Sequence, residues 1–292
     1  MLYRNPVNIS GQLTEIAYAK VNLALHVRER RADGYHALES LFVFADDGDI
    51  LHARQRDDGV ITLAVEGPCA AGLSGDDDNL VMRAARSLQA ATDITAGADV
   101  RLDKRLPVAS GIGGGSADAA ATLRLLMRIW NITVEDAVLQ QLSLSLGSDV
   151  PACLASTTQL VRGRGELLEA QALDDLSGRP MLLVNPRVGV STASVFAGWD
   201  RIDRGALDAL DIVGLARSGR NDLEAPARLS APVIGEVLEA LQAQSPRLAR
   251  MSGSGATCFA LFDDEQGRGQ AADALRRDHP DWWVMETRIR TS

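Results

Sequence analysis

Lysine is almost missing from this chain of 292 residues: its 30 basic side chains are arginine except at Lys20 and Lys104. A lysine kept against such a background hints at a place that needs a compact ammonium rather than a forked guanidinium. Cysteine is also scarce. Cys69, Cys153 and Cys258 are odd in number and far apart, which excludes a disulfide framework and a zinc pattern and suits a reducing compartment. His26, His36, His52 and His279 are equally scattered, which argues against a metal site built on histidine. Positive charge is in deficit, with a net charge of −9. That speaks against a nucleic-acid surface, which is usually basic, but not against small anions that respond to a local field. No apolar run is long enough to cross a bilayer, and Met1-Leu2-Tyr3-Arg4-Asn5-Pro6 has no apolar signal core. These absences point to a cytoplasmic protein with neither a membrane nor a nucleic acid as partner, and leave its oligomeric state open. The composition, 46% hydrophobic and 24% charged, is that of an ordinary globular chain with one large or two modest domains.

What the chain does have is glycine in one telling place. Pro107-Val108-Ala109-Ser110-Gly111-Ile112-Gly113-Gly114-Gly115-Ser116-Ala117 follows a stretch, Ala98 to Leu106, whose alternation reads as a half-buried strand. After it, Leu123, Leu126 and Trp130 fall at helical spacing, so the order is strand, glycine loop, helix. Glycine lets a backbone take positive φ and come close to a ligand. The first amides of a helix lack internal partners and sit at the positive end of its dipole, so the combination is an anion site, and phosphate is the usual anion. A flexible linker would not run straight into an alanine-rich amphipathic helix. The dinucleotide fingerprint fails at Ser116, and a Walker loop would need a lysine after the glycines. A phosphate cradle of another type remains. Ser116, at the helix start, either caps the helix or binds phosphate and metal.

Elsewhere, Ile16 to Val27 reads as a strand with Ala17, Ala19, Val21, Leu23, Leu25 and Val27 on one face. Lys20 and Asn22 are neighbours on the other, more polar face. Arg30 to His36 is a turn with Asp33-Gly34 at its tip. Leu41 to Ala45, Ile61 to Val65 and Met181 to Val184 read as strands; Asn79 to Ala91, Ile234 to Gln244 and Gln266 to Arg277 read as helices. Thr133 is the expected cap of a helix from Val134 to Leu146 that Gly147 ends. Gly147-Ser148-Asp149-Val150-Pro151 then reads as a loop with an acid at its centre, and Ser191 to Trp199 begins a further helix. Arg162 to Gly178 and Arg201 to Ser218 look loop-rich. A second glycine-serine turn, Gly253-Ser254-Gly255, runs into a strand ending at Phe262. The division falls into residues 1–160 and 161–292.

Lys20 with Asn22, the glycine loop, Asp149 and the turn at Gly253 together resemble the GHMP kinase superfamily, small-molecule kinases that bind ATP without a Walker loop. Further resembling pieces are Arg31-Ala32-Asp33-Gly34-Tyr35-His36, Asn221-Asp222-Leu223-Glu224 and Met251-Ser252-Gly253-Ser254-Gly255. They keep family order from residue 19 to residue 262. The resemblance implies an α+β fold of two domains, an N-terminal α/β domain like domain 2 of ribosomal protein S5 and a C-terminal ferredoxin-like α+β domain. The Arg31 to His36 piece narrows it to members acting on a cytidine diphosphate conjugate of methylerythritol, in the non-mevalonate route to isoprenoids. It implies transfer of the γ-phosphoryl group of ATP, with Mg²⁺, to the 2-hydroxyl of that small molecule. Asp149 is then the general base and Lys20 the residue that holds it ionised. Residues 107–117 hold the nucleotide, and Asn22, Tyr35, His36, Phe196 and Gly253 contact the substrate. Ala109 and Ser110 stand where relatives often have glycine, Ile112 replaces the common Leu, and no acidic Mg²⁺ ligand stands out by motif.

Overall fold

The computed structural model describes residues 11–208 and 210–291; the expectation about Met1 to Pro6 lies outside them. In chain order the elements are β1 (Leu13–Arg30), β2 (His36–Arg56), β3 (Ile61–Glu66), α1 (Leu80–Ala91), β4 (Gly97–Asp103), α2 (Gly114–Ile129), α3 (Asp136–Leu146) and α4 (Val150–Ala155). There follow β5 (Gln159–Gly163), β6 (Leu167–Ala170), β7 (Pro180–Asn185), α5 (Thr192–Ala197), α6 (Ile212–Arg217), α7 (Glu224–Ser230), α8 (Val233–Gln242), β8 (Leu248–Met251), β9 (Cys258–Leu261), α9 (Glu265–Asp278) and β10 (Trp283–Arg288). The chain forms two compact units, each assembled from separate segments.

The first unit takes the described part of Met1–Ala19 with Asp47–Leu106 and Gly114–Ala155. Its β4 pairs in parallel with β3, Ile61 opposite Ala98, and antiparallel with the later part of β2, Ile50 opposite Asp103. Asn79 caps α1 by accepting from the Val81 amide, which satisfies an amide that the helix itself leaves without a partner. Val81, Ala84, Ala85 and Leu88 put a stripe of α1 into the core, and α2 packs against it with Ala117, Ala120, Leu123 and Leu126 buried. Small alanines on that face let the two helices approach closely.

The second unit takes Lys20–Asp46, Pro107–Gly113 and the described part of Ser156–Ser292. In it the early part of β2 pairs antiparallel with β5, Leu38 opposite Gly163, and β5 pairs with β6. A separate antiparallel sheet has the order β10-β7-β9-β8. With α8 between β7 and β8, and α9 between β9 and β10, this is the β-α-β-β-α-β arrangement of a ferredoxin-like layer. Leu182, Val184, Leu238, Leu241, Cys258, Ala260 and Leu275 form the core under it.

Several expectations change. The helix foreseen from Val134 begins at Asp136, and its cap position is Glu135, without a side-chain bond; Thr133 lies two residues upstream and does not cap it. Gly147 to Pro151 is not all loop, because α4 starts at Val150 and accommodates Pro151 in its first turn, where a missing amide hydrogen costs nothing. The polar face of β1 is as buried as the apolar one: Lys20 is 4% exposed and Asn22 2%. The segment from Arg201 to Ser218 contains α6, capped by Asp211.

Candidate active site

In the second unit, the glycine loop has positive φ at alternate residues, Ala109 (50°), Gly111 (77°) and Gly113 (65°). Alternation of right- and left-handed residues turns successive amides toward one side and makes an anion-binding concavity. Ala109 holds this conformation without being glycine. Four hydrogen bonds fix the loop: Ser110 Oγ donates to Pro107 O at 2.6 Å, Ser252 Oγ to Gly111 O at 3.0 Å, and the amides of Thr257 and Lys20 to Ser110 O and Ile112 O, each at 3.0 Å. A Cβ on Gly111 would lie 2.5 Å from Ser252 O, and one on Gly253 2.8 Å from Gly111 O. These two glycines are required because two backbones touch. Asn221 holds the second turn by donating from Nδ2 to Met251 O and to Gly253 O, both at 2.8 Å.

Lys20 and Asn22 meet as their register on β1 implies. Lys20 Nζ donates to Asn22 Oδ1 at 2.8 Å and lies 4.5 Å from the centroid of the Phe42 ring. Asn22 donates from Nδ2 to Ser40 Oγ and from its amide to Ser252 Oγ. The carboxamide is thus locked in one orientation.

Of the expected aromatic contacts, His36 and Phe196 come together, stacked with centroids 5.0 Å apart and planes 29° apart. Burial, followed by the charge of Arg30, lowers the His36 pKa, which keeps the ring neutral at pH 7. Trp199 closes the group edge-on to His36 at 5.7 Å. Sequence reasoning missed Trp199; the signal was a second large ring three residues after Phe196 in a chain only 4% aromatic. Tyr35 stands apart from the stack, 61% exposed, with the Arg164 guanidinium 5.2 Å from its ring centroid. The turn before it has the expected form, with Asp33 Oδ1 accepting from the Tyr35 amide and Gly34 at φ 86°.

In the first unit, α2 begins at Gly114, so Gly114, Gly115, Ser116 and Ala117 supply its first-turn amides. Ser116 is the third helical residue, and this position removes the capping reading. A Cβ on Gly114 would lie 3.1 Å from Nζ of the buried Lys104, so the missing side chain there makes room for that ammonium. Asp149 is half-buried in the turn ahead of α4, its carbonyl accepting from the Cys153 amide.

Lys104 itself, 3% exposed, donates to Asp49 Oδ2 at 2.5 Å and to Asp118 Oδ2 at 2.7 Å. Burial works against its charge, but the two carboxylates outweigh that and raise its pKa. Burial, opposed by Lys104 and reinforced by Asp49, pushes the Asp118 carboxyl up to about 8. This buried cluster escaped the sequence reading, although the rarity of lysine had marked Lys104.

The glycine cradle ahead of a helix, without a Walker lysine, defines a class of kinase. The pattern of the GHMP kinases N terminal domain matches residues 79–157, and that of the GHMP kinases C terminal domain matches residues 206–281. The chain belongs to the GHMP kinase family and has its two-domain fold. Within that family it is 57% identical over 282 residues to the 4-diphosphocytidyl-2-C-methyl-D-erythritol kinase of Rhizorhabdus wittichii, covering 95% of this chain and 94% of that one. It is 48% identical to the kinase of the same name from Sphingopyxis alaskensis, over 97% of this chain and all of the relative (100%). A crystal structure of 4-(cytidine 5'-diphospho)-2C-methyl-D-erythritol kinase superposes with a TM-score of 0.78 at 32% identity, covering 96% of this chain and 100% of that one. No described helix is long and apolar enough to cross a membrane.

Proposed function

We propose that this chain transfers the γ-phosphoryl group of ATP to the 2-hydroxyl of 4-diphosphocytidyl-2-C-methyl-D-erythritol, in the cytoplasm, as a step of non-mevalonate isoprenoid precursor synthesis. The observation that carries the phosphoryl-transfer reading is the loop whose φ alternates in sign at 109, 111 and 113 and runs into the first turn of α2. Its amides suit the negative oxygens of a triphosphate. The choice of acceptor is supported by the relatives' names and by the His36–Phe196 stack, a surface of the kind that holds a nucleobase. The family matches at 79–157 and 206–281 support the division into domains at residues 1–160 and 161–292.

In this reading Asp149 accepts the proton of the acceptor hydroxyl as its oxygen forms a bond to the γ-phosphorus and the bond to the ADP oxygen breaks. Lys20 favours the ionised form of Asp149 and offsets the charge on the transferring group. Asn22, its carboxamide fixed by Lys20 and Ser40, orients the acceptor. Residues 107–117 hold the phosphates, Gly253 lets the second turn approach them, and Tyr35, His36 and Phe196 read the cytidine. Among the described residues no group of three or more His, Cys, Asp or Glu side chains is suited to hold a metal. Mg²⁺ keeps several waters and leans on nucleotide phosphates, and the Ser116 hydroxyl would be the protein's contribution. When bound, the ion would neutralise phosphate charge.

A coupled ADP-release assay tests the reading. ADP should appear with the cytidine conjugate and hardly at all with free methylerythritol phosphate, because binding energy from the remote cytidine helps align the reacting hydroxyl. Equal rates with both acceptors would remove the cytidine site and leave a kinase of another substrate.

A further inference from the structure

The buried lysine cluster of the first unit is unused by the reaction just described, and its position is telling. Lys104 stands between β4 and the glycine loop. Its ammonium reaches back to Asp49 on β2 and across to Asp118, one turn into α2. Asp49 in turn accepts from the amides of Arg105 at 2.6 Å and Leu106 at 2.8 Å through Oδ1, fixing the chain just before Pro107. At the far end of the loop, the same ammonium lies where a side chain of residue 114 would be. One charge therefore pins both the entry to the loop, residues 104–106, and its exit, residues 114–118. The backbone of Lys104 is held as well, its amide donating to Glu66 O at 2.7 Å and its carbonyl accepting from Cys69 N at 2.9 Å. Asp118 is 4% exposed, and its Oδ1 has no hydrogen-bond partner among the described residues. A buried carboxyl so poorly satisfied costs stability, which a merely structural site would avoid with an apolar pair.

We propose that Lys104, with Asp49 and Asp118, is a positioning cluster for the nucleotide: it closes the glycine loop at both ends and so presets the amides that receive the phosphates. Fixing the two ends of a short loop reduces the conformations it must give up on binding, and donors aimed before the ligand arrives bind and catalyse better than donors that must be ordered. The proposal rests on the reading of residues 107–117 as the ATP site. Asp49 and Lys104 form the half of the cluster that holds the loop's entry; Asp118 forms the half that holds its exit. Asp118→Ala breaks only the second, leaving the Lys104–Asp49 pair intact, while Asp118→Asn keeps an acceptor for Lys104 that does not titrate.

The experiment measures ATP affinity by calorimetry, the KM for ATP and for the acceptor, kcat and thermal unfolding, for wild type, Asp118→Ala, Asp118→Asn and Lys104→Met. The expected result for Asp118→Ala is an ATP affinity and KM about ten- to hundredfold worse, the size of one or two lost oriented contacts, with the acceptor KM unchanged. Asp118→Asn should recover most of the loss. If Lys104→Met folds, it should behave like Asp118→Ala; if it does not, the two Asp118 variants decide. A folded Asp118→Ala with a lowered melting temperature but wild-type ATP affinity would overturn the proposal, because the cluster would then serve stability alone. Wild-type protein that fails to bind ATP would instead overturn the reading of the loop.

Discussion

The middle of the glycine loop and its two ends are held by different physics. Over residues 107–113, in the second unit, the fixing contacts are neutral: backbone carbonyls, serine hydroxyls and two glycines pressed against facing backbone. At residues 104–106 and 114–118, in the first unit, the fixing contact is a buried ammonium between two carboxyl groups. A neutral, close-packed contact is indifferent to pH and intolerant of any added atom. A buried ion cluster can give way sterically at the end of a flexible lysine, but it answers to protonation. Glycine thus has two meanings within one loop. At Gly111 it allows two main chains to touch, and at Gly114 it makes room for a side chain from elsewhere.

The heaviest blow should fall in the first unit, on the proposed general base. Asp149→Asn keeps shape but loses the carboxylate, and kcat should fall about 10²–10⁴-fold, the usual contribution of a general base, with little change in either KM. Full activity would remove Asp149 from that role.

Next comes the neutral side. Gly111→Ala sets a methyl 2.5 Å from Ser252 O at a φ of 77°. Overpacking costs about 1–3 kcal/mol, and an L side chain in the left-handed region about 1–2 kcal/mol more. Urea unfolding should register a loss of that order at every pH. Gly114→Ala, whose three nearest neighbours are side-chain atoms, of Lys104 at 3.1 Å and of Asp49 and Leu106 at 3.8 Å, should lose much less. Equal losses at the two positions would erase the distinction between them.

A smaller effect is expected at the aromatic stack, also neutral. Phe196→Ala should lower kcat/KM for the cytidine conjugate roughly ten- to hundredfold, since a stacking face contributes about 1–3 kcal/mol, and should leave basal ATP hydrolysis alone.

The smallest effect on activity, and the one that separates the two regions by pH, comes from Asp118→Asn. The folded carboxyl titrates at about 8, against about 3.9 in an unfolded chain. The folded protein therefore keeps a proton that the unfolded chain has released. That contribution to stability is fully present below the unfolded value and is lost as pH rises through the folded one. Asparagine does not titrate, so the variant should gain on wild type from about pH 5 to about pH 8, after which the gap should stop growing. Urea midpoints across that range check it; a constant gap would mean that Asp118 is ionised throughout.

Much of the candidate site's local geometry was legible because it lies in local pattern. Alternation along Ile16 to Val27 put Lys20 beside Asn22, and the strand–glycine–helix order marked the loop. What the sequence concealed depends on contacts distant along the chain. The strand read over Leu41 to Ala45 continues as β2 through Asp46-Asp47-Gly48-Asp49: a Cβ on Gly48 would lie 1.9 Å from Ala17 O, and Asp49 is fully buried against Lys104. Asp118 sits among alanines on a helix, and only the fold reveals that its partners are 14 and 69 residues away by number. Helix α4 was hidden by Pro151, which looks like a breaker but occupies a first turn.

The central claim is that this chain phosphorylates the cytidine-bearing acceptor on its tertiary hydroxyl. Phosphorus NMR of the products formed from ATP, Mg²⁺ and the conjugate by purified protein tests it most directly. A new phosphomonoester resonance, appearing in step with ADP and abolished by Asp149→Asn, is the predicted result. ADP accompanied only by inorganic phosphate, or the same phosphomonoester yield from methylerythritol phosphate lacking the cytidine, would contradict it.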